Sequence, residues 1–235
     1  MGVKCRRLEG KVAVVTASTQ GISPSASAWR APPSSSPPGS RRTWTRWWSG
    51  SRRKGSPWSG PSATSPTPNS ARAPRLIDTA VKMAYFEMKE AVLDKLWDIN
   101  VKASILLLLQ DAAPHLRKGS SVIIISSVTG YNPEQGLAMY GVTKTALLGL
   151  TKALAAEMGP NTRVNCIAPG FVPTRFASFL TTNETIRKEL TDKITLNRLG
   201  SVEDMAAAAA FLTSDDASFI TAETIFVAGG MQSRL

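Results

Sequence analysis

Apolar and polar positions fall into blocks along this chain, and the blocks carry two different periods. Lys11-Val-Ala-Val-Val-Thr16 is a short apolar run rich in β-branched residues and bounded by glycine and polar positions, which predicts a buried strand. From Glu90 to Lys118 the apolar residues Ala91, Leu93, Leu96, Trp97, Val101 and Leu106 recur at helical spacing. Ser121-Val-Ile-Ile-Ile-Ser126 predicts a second buried strand, and Met139 to Met158 a long helix stopped by Gly159-Pro160. Arg163-Val-Asn-Cys-Ile-Ala168 reads as a third strand, closed by Pro169-Gly170. Ser201 to Phe211 follows as a helix with Ser201 as its N-cap, and Thr224 to Val227 as a last strand. Strands alternating with helices predict an α/β fold built on a doubly wound parallel sheet, covered on both faces. No internal repeat is visible, and residues 1–235 are expected to form a single domain.

One stretch breaks this pattern. Between Pro24 and Arg75 there is no Val, Ile, Leu, Met, Phe or Tyr, while ten of the fifteen prolines and five of the six tryptophans sit there. Proline interrupts both kinds of backbone ladder, and the aliphatic groups that offset ordering entropy are missing. Residues 24–74 are therefore expected to be irregular beyond short pieces. From Pro24 to Arg75 the chain holds nine Lys and Arg and no acid, out of a formal net charge of +11 for the chain. Outside it stand 19 basic residues against 17 acidic. The excess charge belongs to one segment, so nucleic acid is not an expected partner of the protein as a whole.

Three readings of the segment stand side by side: a shifted reading frame, a natural basic linker, and a basic, tryptophan-bearing arm that touches phosphates and stacks bases. The genetic code favours the first. Sliding the frame back one base turns Trp48 into valine without any freedom of choice, and permitted codons turn Pro37 to Trp48 into SSRKQKNVDEVV. That string looks like part of an ordinary α/β domain.

Cys5 and Cys166 are the only cysteines, too few for a disulfide framework and consistent with a reducing compartment. No apolar run approaches the roughly 18–20 residues of a membrane span, and Met1 to Arg7 has no hydrophobic region behind it to act as a secretory signal. The expectation is a soluble intracellular protein with no membrane partner.

Tyr140-Gly-Val-Thr-Lys144 carries the sharpest chemistry. A spacing of four stacks Tyr and Lys on one helical face, and an ammonium beside a phenol favours the phenolate, bringing an acid/base group toward neutral pH. Alone, such a pair is most often a solvated helix face. Ser126-Ser127 adds weight, because it closes an all-apolar strand at the end where ligands bind in open parallel sheets. Tyr140 lies 13 residues beyond Ser127, enough for a loop to return the helix so that both hydroxyls face one substrate oxygen. After the first strand, Val15-Thr-Ala-Ser-Thr-Gln-Gly-Ile22 occupies the place of a phosphate-cradling turn, although Gly21 is its single glycine.

Together with Leu8 to Ile22, Asp98-Ile-Asn-Val-Lys102 and Val164-Asn-Cys-Ile-Ala-Pro-Gly170, these residues resemble the short-chain dehydrogenase/reductases. The resemblance covers residues 8–22 and, apart from one junction, 75–235. More narrowly, Lys89 to Asn100, Tyr140 to Met158 and Pro169 to Leu180 are similar to a plant peroxisomal, tropinone reductase-like branch named for the indole-3-butyric acid response, related to animal peroxisomal carbonyl reductases. The resemblance implies a Rossmann-like fold, NADP or NAD as cofactor, and a small-molecule carbonyl or alcohol as substrate. It assigns Tyr140 as general acid/base, Ser127 as the group that polarises the substrate oxygen, and Lys144 as holder of the nicotinamide ribose. Asn100 takes the position that anchors a proton-relay water. Ala17, Thr19, Gln20, Gly21 and Ile22 would cradle the pyrophosphate. Pro169, Gly170, Val172 and Thr174 would clasp the nicotinamide end. Residues 175–197 would form a substrate lid lined by Phe176, Phe179 and Leu180, and a homotetramer is the family's common assembly.

The departures are as informative. The second strand of the family, with its 2′-phosphate-preferring base, is absent as written. Between Lys82 and Lys89, Met-Ala-Tyr-Phe-Glu-Met stands where the fourth strand and its turn belong. The sheet is thus expected to lack its second and fourth strands. Ser233-Arg234-Leu235 resembles the Ser-Lys-Leu peroxisomal address. Two expectations follow from the resemblance: a nicotinamide-dependent oxidoreductase of a secondary alcohol or ketone, with an acyl side chain in peroxisomal β-oxidation as one such substrate, or an impaired, shortened relative whose basic segment binds acidic partners.

Overall fold

The computed structural model describes residues 12–16, 27–30, 88–174 and 183–231. The chain enters as β1 (Val12–Val15) and β2 (Ser27–Arg30). Helix α1 (Glu90–Trp97) then runs through a π-helical turn, Asp98–Lys102, into α2 (Ala103–Leu106), a second π turn at Leu107–Ala112 and a 3₁₀ turn at Ala113–His115. β3 (Ser120–Ile125) leads through a 3₁₀ turn, Val128–Gly130, to the long helix α3 (Ala138–Met158). β4 (Thr162–Pro169), α4 (Glu184–Asp192), α5 (Val202–Thr213) and β5 (Thr224–Val227) complete the described chain.

Every strand and helix expected from periodicity is present within a residue or three of its boundary. Ser201 caps α5 as its sequence position implies. Its hydroxyl accepts from the Asp204 amide at 3.2 Å, and the Asp204 carboxylate accepts from the Ser201 amide at 2.8 Å.

The sheet order is β2-β1-β3-β4-β5, with β1, β3, β4 and β5 parallel. Period-two alternation divides the core between its faces. Val122 and Ile124 of β3 join Val164 and Cys166 of β4 beneath Leu147 and Leu154 of α3 and Leu108. Ile123, Ile125 and Ile167 point the other way, against Met205 and Leu212 of α5. The expected double-sided cover is therefore real. Among the described residues no helix is long and apolar enough to cross a membrane.

Two features correct or sharpen the expectation. β2 is a four-residue piece inside the segment expected to be irregular beyond short pieces, and it is a paired strand: it runs antiparallel to β1, Val12 opposite Arg30 and Val15 opposite Ser27. The physical reason is that a ladder is made by backbone groups. Ser25 to Ala31 is free of proline, and the open edge of β1 offers unpaired amides and carbonyls. An aliphatic side chain is not required for that bond. A sheet expected to be wholly parallel thus carries one antiparallel edge.

On its other side β1 is hydrogen-bonded directly to β3, with Ala13 opposite Ser121 and Val15 opposite Ile123. In the common doubly wound order a fourth strand separates these two. Its expected loss lets the first strand close straight onto the sheet centre. The Thr16 amide donates to the Ile123 carbonyl at 2.9 Å, extending the ladder by one residue.

Candidate active site

The C-terminal ends of β1, β3 and β4 open on one edge of the sheet, and the candidate residues gather at the end of β3. There the chain turns sharply through Val128–Gly130, and Ser127 begins the turn: its hydroxyl accepts from the Thr129 amide at 3.2 Å and from the Thr129 hydroxyl at 2.9 Å. With both lone pairs engaged, the Ser127 proton is left to donate outward. It meets Tyr140, whose phenol is hydrogen-bonded to the Ser127 side chain. The two hydroxyls that the sequence placed on one cleft do converge.

Close backbone packing makes this possible. A side chain at Gly130 would come within 3.0 Å of the Lys144 carbonyl carbon and of Ser126 Oγ, and one at Gly141 within 2.8 Å of the Thr129 carbonyl. Two glycines let the turn after β3 lie flush against the first turns of α3. Ser126 Oγ fastens the contact by donating to the Lys144 carbonyl at 2.8 Å.

Lys144 is one helical turn beyond Tyr140 and is wholly buried, with 0% exposure. Its ammonium donates to the Ile125 carbonyl at 3.1 Å and stands 5.5 Å from the centre of the Tyr140 ring. Burial lowers its pKa to about 7, against a smaller upward pull from Cys166. Burial also pushes the Tyr140 phenol above its ordinary range, and the Ser127 hydrogen bond offsets part of that rise. The sequence argument expected the ammonium to pull the phenol down. In the folded protein desolvation outweighs that attraction, because it disfavours the charged form of both partners. Cys166, buried beneath the pair, has a thiol raised by the same effect.

Asn100 lies in the π turn Asp98–Lys102 and is buried, while Asp98 and Lys102 pair at 3.5 Å in solvent. Its side-chain amide donates to Thr143 Oγ1 at 2.9 Å, and its main-chain carbonyl accepts from Ser104 Oγ at 2.9 Å. Pro169 ends β4, and the Gly170 amide donates to the Val227 carbonyl at 3.1 Å. Val172 is buried in the apolar cluster under α5, so its side chain serves the core, and Thr174 is half-buried at the limit of the described loop. Ala17, Thr19, Gln20, Gly21, Ile22, Phe176, Phe179 and Leu180 lie outside the described residues, as do residues 83–87 and Ser233-Arg234-Leu235. Of the expected lid, α4 is present, with Asn183 capping the Thr185 and Ile186 amides.

Sequence reasoning passed over Thr129, Gly130, Gly141 and Thr143. A threonine two residues after a strand-end serine signals a local hydroxyl turn. The Asn100–Thr143 contact bridges 43 residues and had no local signal.

A doubly wound sheet with a hydrogen-bonded Ser–Tyr pair at its carboxyl edge, and a lysine one turn behind, defines a class of hydroxyl-handling acid/base sites. A family model described as enoyl-(acyl carrier protein) reductase matches residues 69–232. Tropinone reductase-like 3 of Erythroxylum coca is 54% identical over 250 residues, covering 98% of this chain and 96% of its own. Short-chain dehydrogenase/reductase SDRA of Arabidopsis thaliana is 71% identical over 147 residues, which is 63% of this chain and 58% of that protein. Human dehydrogenase/reductase SDR family member 4 is 41% identical over 182 residues, 68% of this chain and 65% of its own. Among solved structures, a gluconate 5-dehydrogenase from Burkholderia cenocepacia in complex with NADP and tartrate superposes with a TM-score of 0.61 at 25% identity, covering 66% of this chain and 61% of that one. The chain belongs to the short-chain dehydrogenase/reductase family of oxidoreductases.

Proposed function

We propose that this protein transfers a hydride between NADP or NAD and a secondary alcohol or ketone, with Tyr140 as acid/base. The observation that carries the reading is the Ser127–Tyr140 hydrogen bond at the carboxyl end of β3. The raised phenol is protonated at neutral pH, so it enters carbonyl reduction as the proton donor. Ser127, its lone pairs taken by Thr129, donates to the same substrate oxygen and stabilises the charge that develops there.

The donor set fits the nicotinamide end of the cofactor: an ammonium and two hydroxyls at the end of a parallel strand suit a ribose diol and a carbonyl. Lys144 would hold the ribose, Asn100 would support the proton path, and Pro169, Gly170 and Thr174 would bound the ring. Ala17, Thr19, Gln20, Gly21 and Ile22 would cradle the pyrophosphate. When bound, the nicotinamide supplies or accepts the hydride. The relatives support this cofactor, since solved neighbours include a 4-hydroxyisoleucine dehydrogenase complexed with NADH and a 2-deoxy-gluconate 3-dehydrogenase from Agrobacterium tumefaciens with bound NADP.

The finer proposals are a single domain over residues 1–235 with an irregular basic insert at 24–74, a homotetramer, and a peroxisomal address in Ser233-Arg234-Leu235. An acyl-chain ketone of β-oxidation is the substrate class that matches that address. The test is NADPH- and NADH-dependent reduction of a ketone panel by the full chain, followed by loss of reduced-cofactor absorbance. Ser127→Ala should lower kcat about 100-fold. An unchanged kcat would refute the assignment.

The direct β1–β3 pairing supports a second reading, an impaired family member. A shortened nucleotide half loses contacts to the adenosine end, and positioning the cofactor supplies much of the rate. In that case cofactor binding, rather than chemistry, is the step that fails.

A further inference from the structure

Resting on the reading of Tyr140 as the acid/base group, we propose that Thr143 is a positioning residue for the reaction, and that Asn100 acts through it. Thr143 Oγ1 donates to the Tyr140 carbonyl at 2.7 Å and accepts from Asn100 Nδ2 at 2.9 Å. It is fully buried, and Asn100 nearly so. This single hydroxyl therefore joins the π turn Asp98–Lys102 to the first turn of α3.

A threonine bonding back to a carbonyl three or four residues earlier is ordinary helix chemistry. Thr151 does so on Leu147 at 2.8 Å, and its side chain also bonds the Cys166 thiol on the neighbouring strand β4. Thr143 differs in what reaches it, a carboxamide from another element 43 residues away. The backbone that carries it is fixed too: the Asn100 main-chain carbonyl accepts from the Ser104 hydroxyl at 2.9 Å, and the π turn swings Asn100 inward while Asp98 and Lys102 stay in solvent. π turns are concentrated at functional sites, where they re-aim a side chain.

The chain Ser104–Asn100–Thr143–Tyr140 thus ends on the backbone of the residue whose hydroxyl must stay beside Ser127, where both can reach one substrate oxygen. Opposite it, Ser126 and Gly130 hold the Lys144 turn. Tyr140 is clamped from two sides. Displacements near 1 Å in such groups cost on the order of 100-fold in rate, so even partial loss of one clamp is measurable.

The experiment is a double-mutant cycle on the full chain with Thr143→Val, Asn100→Ala and both together, with Thr143→Ser and Tyr140→Phe alongside. Thr143→Val and Asn100→Ala should each lower kcat about tenfold with cofactor KM unchanged, and the double variant should be no worse than either single. Thr143→Ser, which keeps the hydroxyl, should restore the rate. Independent losses that multiply, or a Thr143→Val rate equal to the parent, would overturn the proposal. Loss of activity in Tyr140→Phe tests the underlying reading separately.

A second readout does not need turnover. The chain has three tyrosines, so ring-carbon labelling resolves Tyr140 by its disappearance in Tyr140→Phe. Its resonance should move in Thr143→Val and in Asn100→Ala alike, and return in Thr143→Ser. A Tyr140 signal indifferent to both substitutions would sink the proposal. If Thr143→Val does not fold, Asn100→Ala and Thr143→Ser decide the same question.

Discussion

The centre of the sheet and its β2 edge are built from the same backbone bond and from opposite sequences. β3 and β4 pair over six residues from Ser120 to Ile125, and all of β3 is buried. β1 touches β3 over three, and beyond it β2 is Ser-Ala-Trp-Arg with no aliphatic residue larger than alanine. A ladder needs only amides and carbonyls, whereas stability needs apolar area removed from water. The edge therefore shows that pairing can be had without the run of branched aliphatic residues that builds β3. All the acid/base candidates stand on the other region.

The largest test of that contrast is Tyr140→Phe. It removes one hydroxyl from the buried half and should lower kcat about 1,000-fold while leaving the melting temperature within a few degrees. Retained turnover would move the chemistry elsewhere.

Next in size is a pair of substitutions, one in each region. Ile124→Ala removes a fully buried side chain from the middle of β3 and should cost about 3 kcal/mol in urea unfolding. Ala28→Pro disrupts β2 and should cost less than about 1 kcal/mol, because a four-residue edge strand is paired on one side through few ladder bonds. Equal costs would erase the distinction.

Cofactor affinity sharpens the comparison from the other side. A version with the 24–74 frame restored and a strand inserted between β1 and β3 should bind NADPH about 100-fold more tightly in calorimetric titration. Equal affinities would show that the shortened half contributes little to binding.

The smallest effect is a pH dependence. The folded pKa of Lys144 is lowered from its ordinary 10.5 to about 7. Between those values the unfolded chain carries a proton that the native state lacks, so stability rises with pH across that window. Below it, both states are protonated and the native protein bears the full cost of burying the charge. Lys144→Met should therefore be more stable than the parent at and below neutrality, with the advantage fading toward the upper end of the window. An advantage that grows with pH would contradict the burial of Lys144.

Much of the site was legible because its signals are local. Tyr140 and Lys144 are four apart on a strongly patterned helix, and Ser127 follows an all-apolar strand, so spacing alone stacks one pair and places the third at the ligand end. Asn100 was legible only by family likeness. Its partner Thr143 was not, since nothing local links a turn after α1 to a helix 43 residues on. The antiparallel β2 was missed for a related reason: side-chain pattern reports burial, and an edge ladder does not depend on it.

What the sequence determined by itself was the order and type of the elements, the capped start of α5, and the periodic faces that sandwich β3 and β4. Those follow from residue chemistry within a few positions. Tertiary structure alone decided which strand meets which, closing β1 onto β3, and it decided the charge states at the site. A lysine beside a tyrosine acidifies it in water. Enclosed together behind Ile125 and Cys166, both are driven toward neutrality, because the cost of desolvating a charge depends on everything packed around it and not on the spacing that brought the two together.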